Sequence, residues 1–161
     1  MRHAFAYRLD HASGFHAQRL RQVFGRDLSA AEAVAQIVAD VRLRLNRPGT
    51  AQWVMVELGL PPGFEVVAED LNALVAQSAG KATSLKRYEV AGRSLRLYLE
   101  NLRDSAPVHF NFRLRARLVV RAQTGAATVY DYYNPSVRDT QAPLMVVVEL
   151  GEPGVPVVSS A

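Results

Sequence analysis

The chain offers few residues for catalysis or metal binding. It has no cysteine, and its four histidines are His3, His11, His16 and His109. His11 and His16 are five positions apart, so they do not share a helix face at the i, i+4 spacing of a metal site. His109 falls on the polar face of a predicted strand. No further ligand stands at a suitable spacing, so we predict no metal site and interpret the histidines as solvated side chains.

Motifs that would indicate an enzyme are absent. The sequence has no Gly-x-Ser-x-Gly elbow, no Gly-x-Gly-x-x-Gly loop and no P-loop. Composition alone does not exclude a Ser/His/Asp triad, but no nucleophile motif accompanies the histidines. Glu69 and Asp70 are adjacent on a predicted helix, where they favour its N-terminal dipole and do not form a catalytic carboxylate pair. We predict a protein without catalytic residues or a cofactor.

Arginines dominate the net charge of +4 but do not form a run. They alternate with apolar residues along predicted strands, most clearly at Arg113, Arg115 and Arg117. One interpretation is an anion-binding or partner-binding stripe. We favour the other, a charged outer face that keeps a half-exposed strand soluble and discourages edge-to-edge aggregation. Nucleic-acid binding is not predicted, because such proteins usually cluster their cations.

Three tyrosines fall within four residues, at Tyr130, Tyr132 and Tyr133. Their β-propensity predicts a strand over 127–133, which Asn134-Pro135 then stops. In a strand, Tyr130 and Tyr132 share one face. The cluster is either a binding patch or a structural feature in which a ring packs and its hydroxyl fixes a loop. We favour the structural interpretation.

The pattern of the remaining chain predicts an antiparallel β-sandwich with one inserted α-helix. Its 161 residues, 49% hydrophobic and 21% charged, suit one globular domain, and no apolar run is long enough to span a membrane. An apolar stripe at i, i+4, i+7 and i+8 predicts the helix over 67–77. Short strands with turn signals surround it. Their predicted ranges are 41–46, 52–58, 85–90, 95–100, 108–120 and 145–150.

The two ends of the chain differ from this pattern. Residues 1–35 are expected to form a short extension that is helical or irregular, with helices at 15–24 and from a capping box at Ser29 and Glu32. Residues 36–150 form the predicted sandwich, and residues 151–161 are expected to be a disordered tail. The N-terminus lacks the apolar region of a signal peptide. The chain is therefore either cytoplasmic or a piece of a larger exported protein.

Ordered motifs carry a resemblance to a known family. The strand and Leu-Pro-Pro-Gly-Phe turn at 53–64 resemble the strand and "P-S-G-F" turn of the alpha-2-macroglobulin receptor-binding domain. Residues 86–99 are similar to its "R-Y-E-V … L-Y-L" hairpin. Residues 108–114 and 129–133 resemble its "F-x-F-x-V" and "V-Y-D-Y-Y" strands. The resemblance extends from about residue 41 to residue 138.

The resemblance implies a C-terminal macroglobulin-type sandwich of a thioester or protease-inhibitor protein. In vertebrate inhibitors two helix lysines, four positions apart, bind a clearance receptor. Aligning Gly63-Phe64 with the family's Gly-Phe places these positions at Ala68 and Asn72, and neither is basic. We therefore expect packing within a larger assembly, or an unknown protein partner, in place of lysine-dependent docking to acidic, calcium-loaded receptor modules. Protease trapping would need a bait region and usually a thioester cysteine, which this chain lacks.

Two functions remain open from the sequence. The first is a non-catalytic interaction domain of an alpha-2-macroglobulin-like inhibitor, extracellular or periplasmic as part of an exported protein. The second is a free-standing β-sandwich module that binds a protein or a glycan. Neither involves nucleic acid or insertion into a membrane.

Overall fold

The computed structural model describes residues 5–11, 36–117, 120–151 and 155–160, with side chains described within 37–117 and 121–146. This part of the chain contains twelve strands and one helix. In chain order the elements are β1 (Phe5–His11), β2 (Gln36–Leu45), β3 (Thr50–Gly59), β4 (Phe64–Val66), α1 (Ala68–Ser78), β5 (Ser84–Ala91), β6 (Ser94–Arg103), β7 (Val108–Ala116), β8 (Val120–Gln123), β9 (Ala127–Asp131), β10 (Arg138–Gln141), β11 (Met145–Gly151) and β12 (Val155–Ser160).

The strands form antiparallel sheets. Sheet A has the order β1-β2-β7-β4, sheet B has the order β10-β9-β3-β6-β5, and the small sheet C has the order β12-β11-β8. Inward-facing side chains of sheets A and B belong to one hydrophobic cluster, which Val146 of sheet C joins. Two sheets that share a core in this way pack face to face. The predicted antiparallel β-sandwich with an inserted helix is confirmed.

Alternation along the strands places the core as predicted. On β7, Phe110, Phe112 and Leu114 are buried, while the residues between them point outward. In β3, Val54 and its two successors are all buried, because this strand lies in the middle of sheet B between β9 and β6. A central strand that is apolar on both faces was expected here.

A tight turn connects β3 to the short strand β4, which precedes the helix. Phe64 donates its backbone N–H to the carbonyl of Pro61 at 3.3 Å, and Gly63 has a φ of 79°. Proline at the second position and glycine with positive φ at the third are the requirements of a type II turn. The short strand β4 follows and pairs with the end of β7. Helix α1 then begins at Ala68.

Helix α1 covers the side of the sandwich between β7 and β5. Leu71 is fully buried, and Leu74 and Val75 pack against the core, so the predicted apolar stripe is the face that docks. At the other end of the helix, the hydroxyl of Ser78 accepts the N–H of Leu85 at 2.9 Å. The helix predicted over 67–77 is confirmed with a shift of one residue.

The N-terminal segment differs from the expected helical or irregular extension. Residues 5–11 form β1, which pairs antiparallel with residues 39–45 of β2 and completes sheet A. The alternation of Phe5, Tyr7 and Leu9 with small or polar residues is the signal in the sequence that could have predicted this strand. The helices predicted at 15–24 and from Ser29 lie outside the described residues.

The C-terminal segment also differs from the expectation of a disordered tail. Residues 155–160 form β12, which pairs antiparallel with β11. Valines at 155, 157 and 158 favour an extended backbone, and β11 supplies an edge for pairing. The chain thus extends sheet C instead of ending in an irregular tail.

Candidate partner-binding surfaces

Catalytic groups do not converge among the described residues. His109 Nε2 contacts a carboxylate oxygen of Asp40 on the outer face of sheet A, and both groups lie on neighbouring strands. No hydroxyl joins this pair in the described contacts. Within the same part of the chain, no group of three or more histidine, aspartate or glutamate side chains is arranged to hold a metal ion. Nor does any helix there have the length and apolar character needed to cross a membrane.

The helix positions that the resemblance singled out lie on the exposed side of α1. Ala68 opens the helix and is exposed. Asn72, one turn later, is also exposed, and its Oδ1 accepts a hydrogen bond of 2.9 Å from the hydroxyl of Tyr88 on β5. Carboxylates occupy the first turn between them. The surface here is therefore neutral to acidic.

Two lysines introduced at these positions are expected to raise the affinity of this chain for an acidic receptor module that binds lysine side chains. For the double variant Ala68→Lys and Asn72→Lys we expect a gain of up to about tenfold, because exposed charge pairs contribute little individually. Surface plasmon resonance measures the affinity. The matched control carries lysines at Ala73 and Gln77, which are also exposed and four apart on α1. Equal affinity of the two double variants would contradict the alignment of the helix.

Asp70 anchors the helix to sheet A. Its carboxylate accepts hydrogen bonds from the backbone N–H of Arg113 at 2.9 Å and from Nε and Nη2 of the same arginine at 2.8 and 2.7 Å. The hydrogen bonds from Arg113 lower the pKa of Asp70, with partial burial opposing the shift. This contact uses one arginine of the predicted stripe. Arg117 pairs with Glu65 in the same manner, so two of the three stripe arginines neutralise carboxylates on the surface.

Acidification is expected to weaken the Asp70 anchor. Because the folded-state pKa of Asp70 is lowered, its stabilisation is present above the unfolded-state pKa and is lost as pH falls below about 4. We expect Asp70→Asn to lower the free energy of unfolding by about 1 kcal/mol at pH 7 and by much less at pH 2. Urea denaturation at both pH values measures the difference. The neighbouring Glu69→Gln serves as control, and an equal cost of Asp70→Asn at both pH values would contradict the prediction.

A second surface is the tyrosine turn, which we define as residues 131–137. Strand β9 ends at Asp131, so Tyr132 and Tyr133 lie beyond its end, contrary to the predicted strand over 127–133. Their rings meet edge to face, with centroids 5.6 Å apart and an interplanar angle of 86°. Tyr132 is 52% exposed and Tyr133 is 69% exposed. The two adjacent rings therefore form a small aromatic patch that is accessible to a partner.

Hydrogen bonds hold the tyrosine turn in place. The carboxylate of Asp131 accepts the backbone N–H of Tyr133 at 3.1 Å, which is an Asx-turn. Tyr132 donates its N–H to the carbonyl of Trp53 at 2.9 Å, and Asp131 donates its own to Val137 at 3.0 Å. The exposed rings are therefore mounted on a fixed backbone, which reduces the ordering cost of binding.

Arg47 joins the turn to the end of β2. Its Nη2 lies 3.0 Å from the carboxylate of Asp131, which is one of the few buried polar side chains in the described core. Arg47 Nε is buried and has no hydrogen-bond partner in the described part of the chain. Asp131 is therefore the charged partner of a guanidinium that is partly buried and partly in contact with water.

Tyr130 is a structural residue, but its hydroxyl contacts the neighbouring strand β3 and not the loop that was predicted. It remains in β9 opposite Met55, and its hydroxyl contacts the sulfur of Met55. Partial burial raises the pKa of Tyr130. The structural interpretation thus describes Tyr130, whereas the exposed Tyr132 and Tyr133 fit the binding patch that we considered and did not favour. The Asn134-Pro135 sequence that follows was the available signal for an early end of the strand.

The outer face of sheet B carries charged side chains that pair with one another. Lys86 pairs with Glu100 at 2.7 Å, and Arg96 pairs with Glu57 at 3.4 Å. The guanidinium of Arg87 lies 4.0 Å from the ring centroid of Tyr98. These charged side chains are paired with one another or, for Arg87, with Tyr98. The large hydrophobic side chains exposed in the described part of the chain are Val90, Tyr132 and Tyr133.

Comparisons with known proteins agree with this architecture. Residues 49–143 match the family model described as the A-macroglobulin receptor binding domain. No curated protein matches significantly.

Solved structures of bacterial alpha-2-macroglobulins share the fold. Escherichia coli alpha-2-macroglobulin activated by porcine elastase is 15% identical with a TM-score of 0.59, over 88% of this chain and 13% of that chain. Native E. coli alpha-2-macroglobulin from domain MG7 to the C-terminus is 14% identical with a TM-score of 0.61, over 89% and 23%. The Salmonella protein reacted with methylamine is 15% identical with a TM-score of 0.59, over 88% and 9%. The chain thus spans less than a quarter of the length of each.

The family match extends over more than half of the 161 residues and includes the helix, the β5–β6 hairpin, β7 and the tyrosine turn. This protein therefore belongs to the A-macroglobulin receptor binding domain family.

Proposed function

We propose that this chain is a non-catalytic interaction domain of a larger alpha-2-macroglobulin-like protein and that it packs against another domain through the tyrosine turn. The observation that carries the proposal is the pair of exposed rings at Tyr132 and Tyr133 on a hydrogen-bonded turn. Aromatic side chains in a fixed position are typical anchors of protein interfaces. The family membership and the small share of the related chains that this domain matches support a role within a longer polypeptide.

Lysine-dependent receptor binding is the less supported role for this domain. We assign Ala68 and Asn72 to the positions of the family's receptor lysines by aligning Gly63-Phe64 with the family's Gly-Phe, and the charged residues beside them are carboxylates. An acidic receptor module would therefore meet no positive charge on this part of α1. We place the interaction at the tyrosine turn for this reason.

Protease inhibition and export are properties that we propose for the whole protein. The chain has no cysteine, so a thioester, if the protein has one, lies in another part of it. The proteins with the same fold are bacterial alpha-2-macroglobulins. By analogy, we propose an extracellular or periplasmic location for the larger protein.

The affinity of this chain for the segment encoded upstream tests the proposal directly. The reading frame upstream of codon 1 is sequenced, the segment that it encodes is expressed as a separate polypeptide, and its affinity for the 161-residue chain is measured by calorimetry. We expect an upstream bait region or thioester segment and a stable complex. A complete gene with its own promoter at Met1 would contradict the proposal and favour a free-standing module that binds a protein or a glycan.

A further inference from the structure

Among the described residues, no strand pairs with one edge of β7 over half of its length. The backbone carbonyl of Arg113 accepts the N–H of Val67 at 3.0 Å, and Arg117 donates its N–H to Gly63 at 2.8 Å. The backbone N–H and C=O groups of the odd-numbered residues of β7 therefore point away from β2. By the same alternation, the N–H and C=O of Asn111 and His109 face this side. In the described part of the chain, no strand pairs with them there.

The departure of the chain into helix α1 creates this open edge. Strand β4 runs antiparallel to β7 from Phe64 to Val66. At Val67 the chain turns away, and Asp70 takes the N–H of Arg113 with its side chain instead of a backbone carbonyl. Within the described ranges, no strand therefore continues the line of β4 beyond Arg113. Proteins commonly cover such an edge with a helix, and α1 lies beside it.

A groove separates α1 from the open edge. Two adjoining cavities of about 460 and 340 Å³ share Leu74, Gln77 and Asn111 in their linings. The first also reaches the apolar side chains of Leu85, Leu99 and Phe110. We call this space the edge groove. It combines unpaired backbone groups along one wall with a helix along the other, which is the arrangement that binds extended peptides by β-strand addition.

The charges at the two ends of the edge groove differ. The Asp70–Arg113 pair lies at one end. Lys81 lies at the other end, is exposed, and makes no ion pair among the described residues. A strand that continued the line of β4 would run from the Asp70 end to the Lys81 end. Its carboxyl-terminal side would then meet the positive charge.

We propose that the edge groove binds an extended peptide segment of a separate protein as an added antiparallel strand on β7. The backbone groups of Asn111 and His109 supply four hydrogen bonds to alternate residues of the peptide. An acidic residue, or a terminal carboxylate, at its carboxyl-terminal end contacts Lys81. This site lies on the β7 side of α1, away from the tyrosine turn and from Ala68 and Asn72, so it is independent of the proposed function.

Amide hydrogen exchange of the free 161-residue chain is the first test. The amides of His109 and Asn111 are expected to exchange at least about tenfold faster than those of Phe110 and Phe112, which bond to β2. Equal protection of all four amides would show that the edge is already occupied and would overturn the proposal.

Binding of a defined probe is the second test. The probe is a fluorescently labelled hexapeptide of alternating threonine and valine that ends in aspartate with a free carboxyl group. We expect saturable binding by fluorescence anisotropy and slower exchange at His109 and Asn111. The absence of binding up to 1 mM peptide would overturn the proposal, as would self-association of the chain that protects the same two amides, because a second copy would then be the occupant.

Two matched changes distinguish strand addition from unspecific adhesion. Methylating the peptide nitrogens that face β7 is expected to weaken binding at least about tenfold, whereas methylating the alternate nitrogens leaves it unchanged. Lys81→Ala is expected to weaken binding about two- to fivefold, and Lys86→Ala, on the far side of sheet B, is expected to have no effect. Equal effects within either pair would overturn the proposed mode.

Discussion

Replacing Asp131 with alanine is expected to lower the free energy of unfolding by about 2–3 kcal/mol. The change removes the carboxylate that faces Arg47 at 3.0 Å and the acceptor for the N–H of Tyr133 at 3.1 Å. The Arg47 guanidinium, whose Nε is already buried without a described hydrogen-bond partner, would then also lose the partner of its Nη2. The Arg47 side chain is 41% exposed, so water screens part of this pair and the cost stays below that of a fully buried ion pair.

Urea denaturation of a double-mutant cycle measures the contribution of the pair. Arg47→Met alone removes the cation, and the combination of Arg47→Met with Asp131→Ala should cost clearly less than the sum of the two single changes. Asp104→Ala is the control, because this exposed carboxylate bonds only to the next backbone N–H in the described contacts. A loss of less than about 0.5 kcal/mol for Asp131→Ala would show that the tyrosine turn does not depend on its carboxylate.

The sequence predicted those parts of the fold that local periodicity determines. The alternation on β7 and the apolar stripe of α1 each place the core side chains directly, because burial on one face repeats at a fixed interval. Strands β1 and β12 were not predicted, although both carry a local signal. Phe5, Tyr7 and Leu9 alternate with small or polar residues, and the valines of β12 favour an extended backbone. Their pairing partners, β2 and β11, are identified only in the folded chain.

The candidate surfaces were only partly accessible from the sequence. Tyr132 and Tyr133 carry β-propensity, yet β9 stops before them because Asp131 bonds to Tyr133 and to Arg47, which lies 84 positions earlier. No local pattern reports a partner at that distance. The positions of Ala68 and Asn72 came from the resemblance, and the bond between Asn72 and Tyr88 arises only when β5 folds beside α1.

The open edge of β7 shows the same limit. From the sequence, β7 is a clear strand, and Val67 to Gln77 is a clear helix. Whether the helix leaves backbone groups of the strand unpaired depends on where Asp70 contacts Arg113. That contact connects positions 43 apart and becomes visible only in three dimensions.

Replacing both exposed tyrosines with serine is expected to weaken docking of this chain to the proposed upstream segment by about 100-fold or more. Tyr132 and Tyr133 together present two large rings, and the loss of such anchors from the centre of an interface commonly costs 2 kcal/mol or more. Serine keeps the backbone N–H groups that bond to Trp53 and Asp131, so the turn itself should persist. The free energy of unfolding of the isolated chain should change by less than about 0.5 kcal/mol.

Val90→Ser is the matched control for the tyrosine variants. Val90 is 50% exposed and lies on β5 at the opposite edge of sheet B from β10, so its loss removes apolar surface without touching the tyrosine turn. Calorimetry with the upstream segment should give an unchanged affinity for this variant. An equal loss for Val90→Ser and for the double tyrosine variant would indicate a diffuse apolar interface. Unchanged affinity for the double tyrosine variant would remove the turn from the interface, and the exposed rings would then require a different partner.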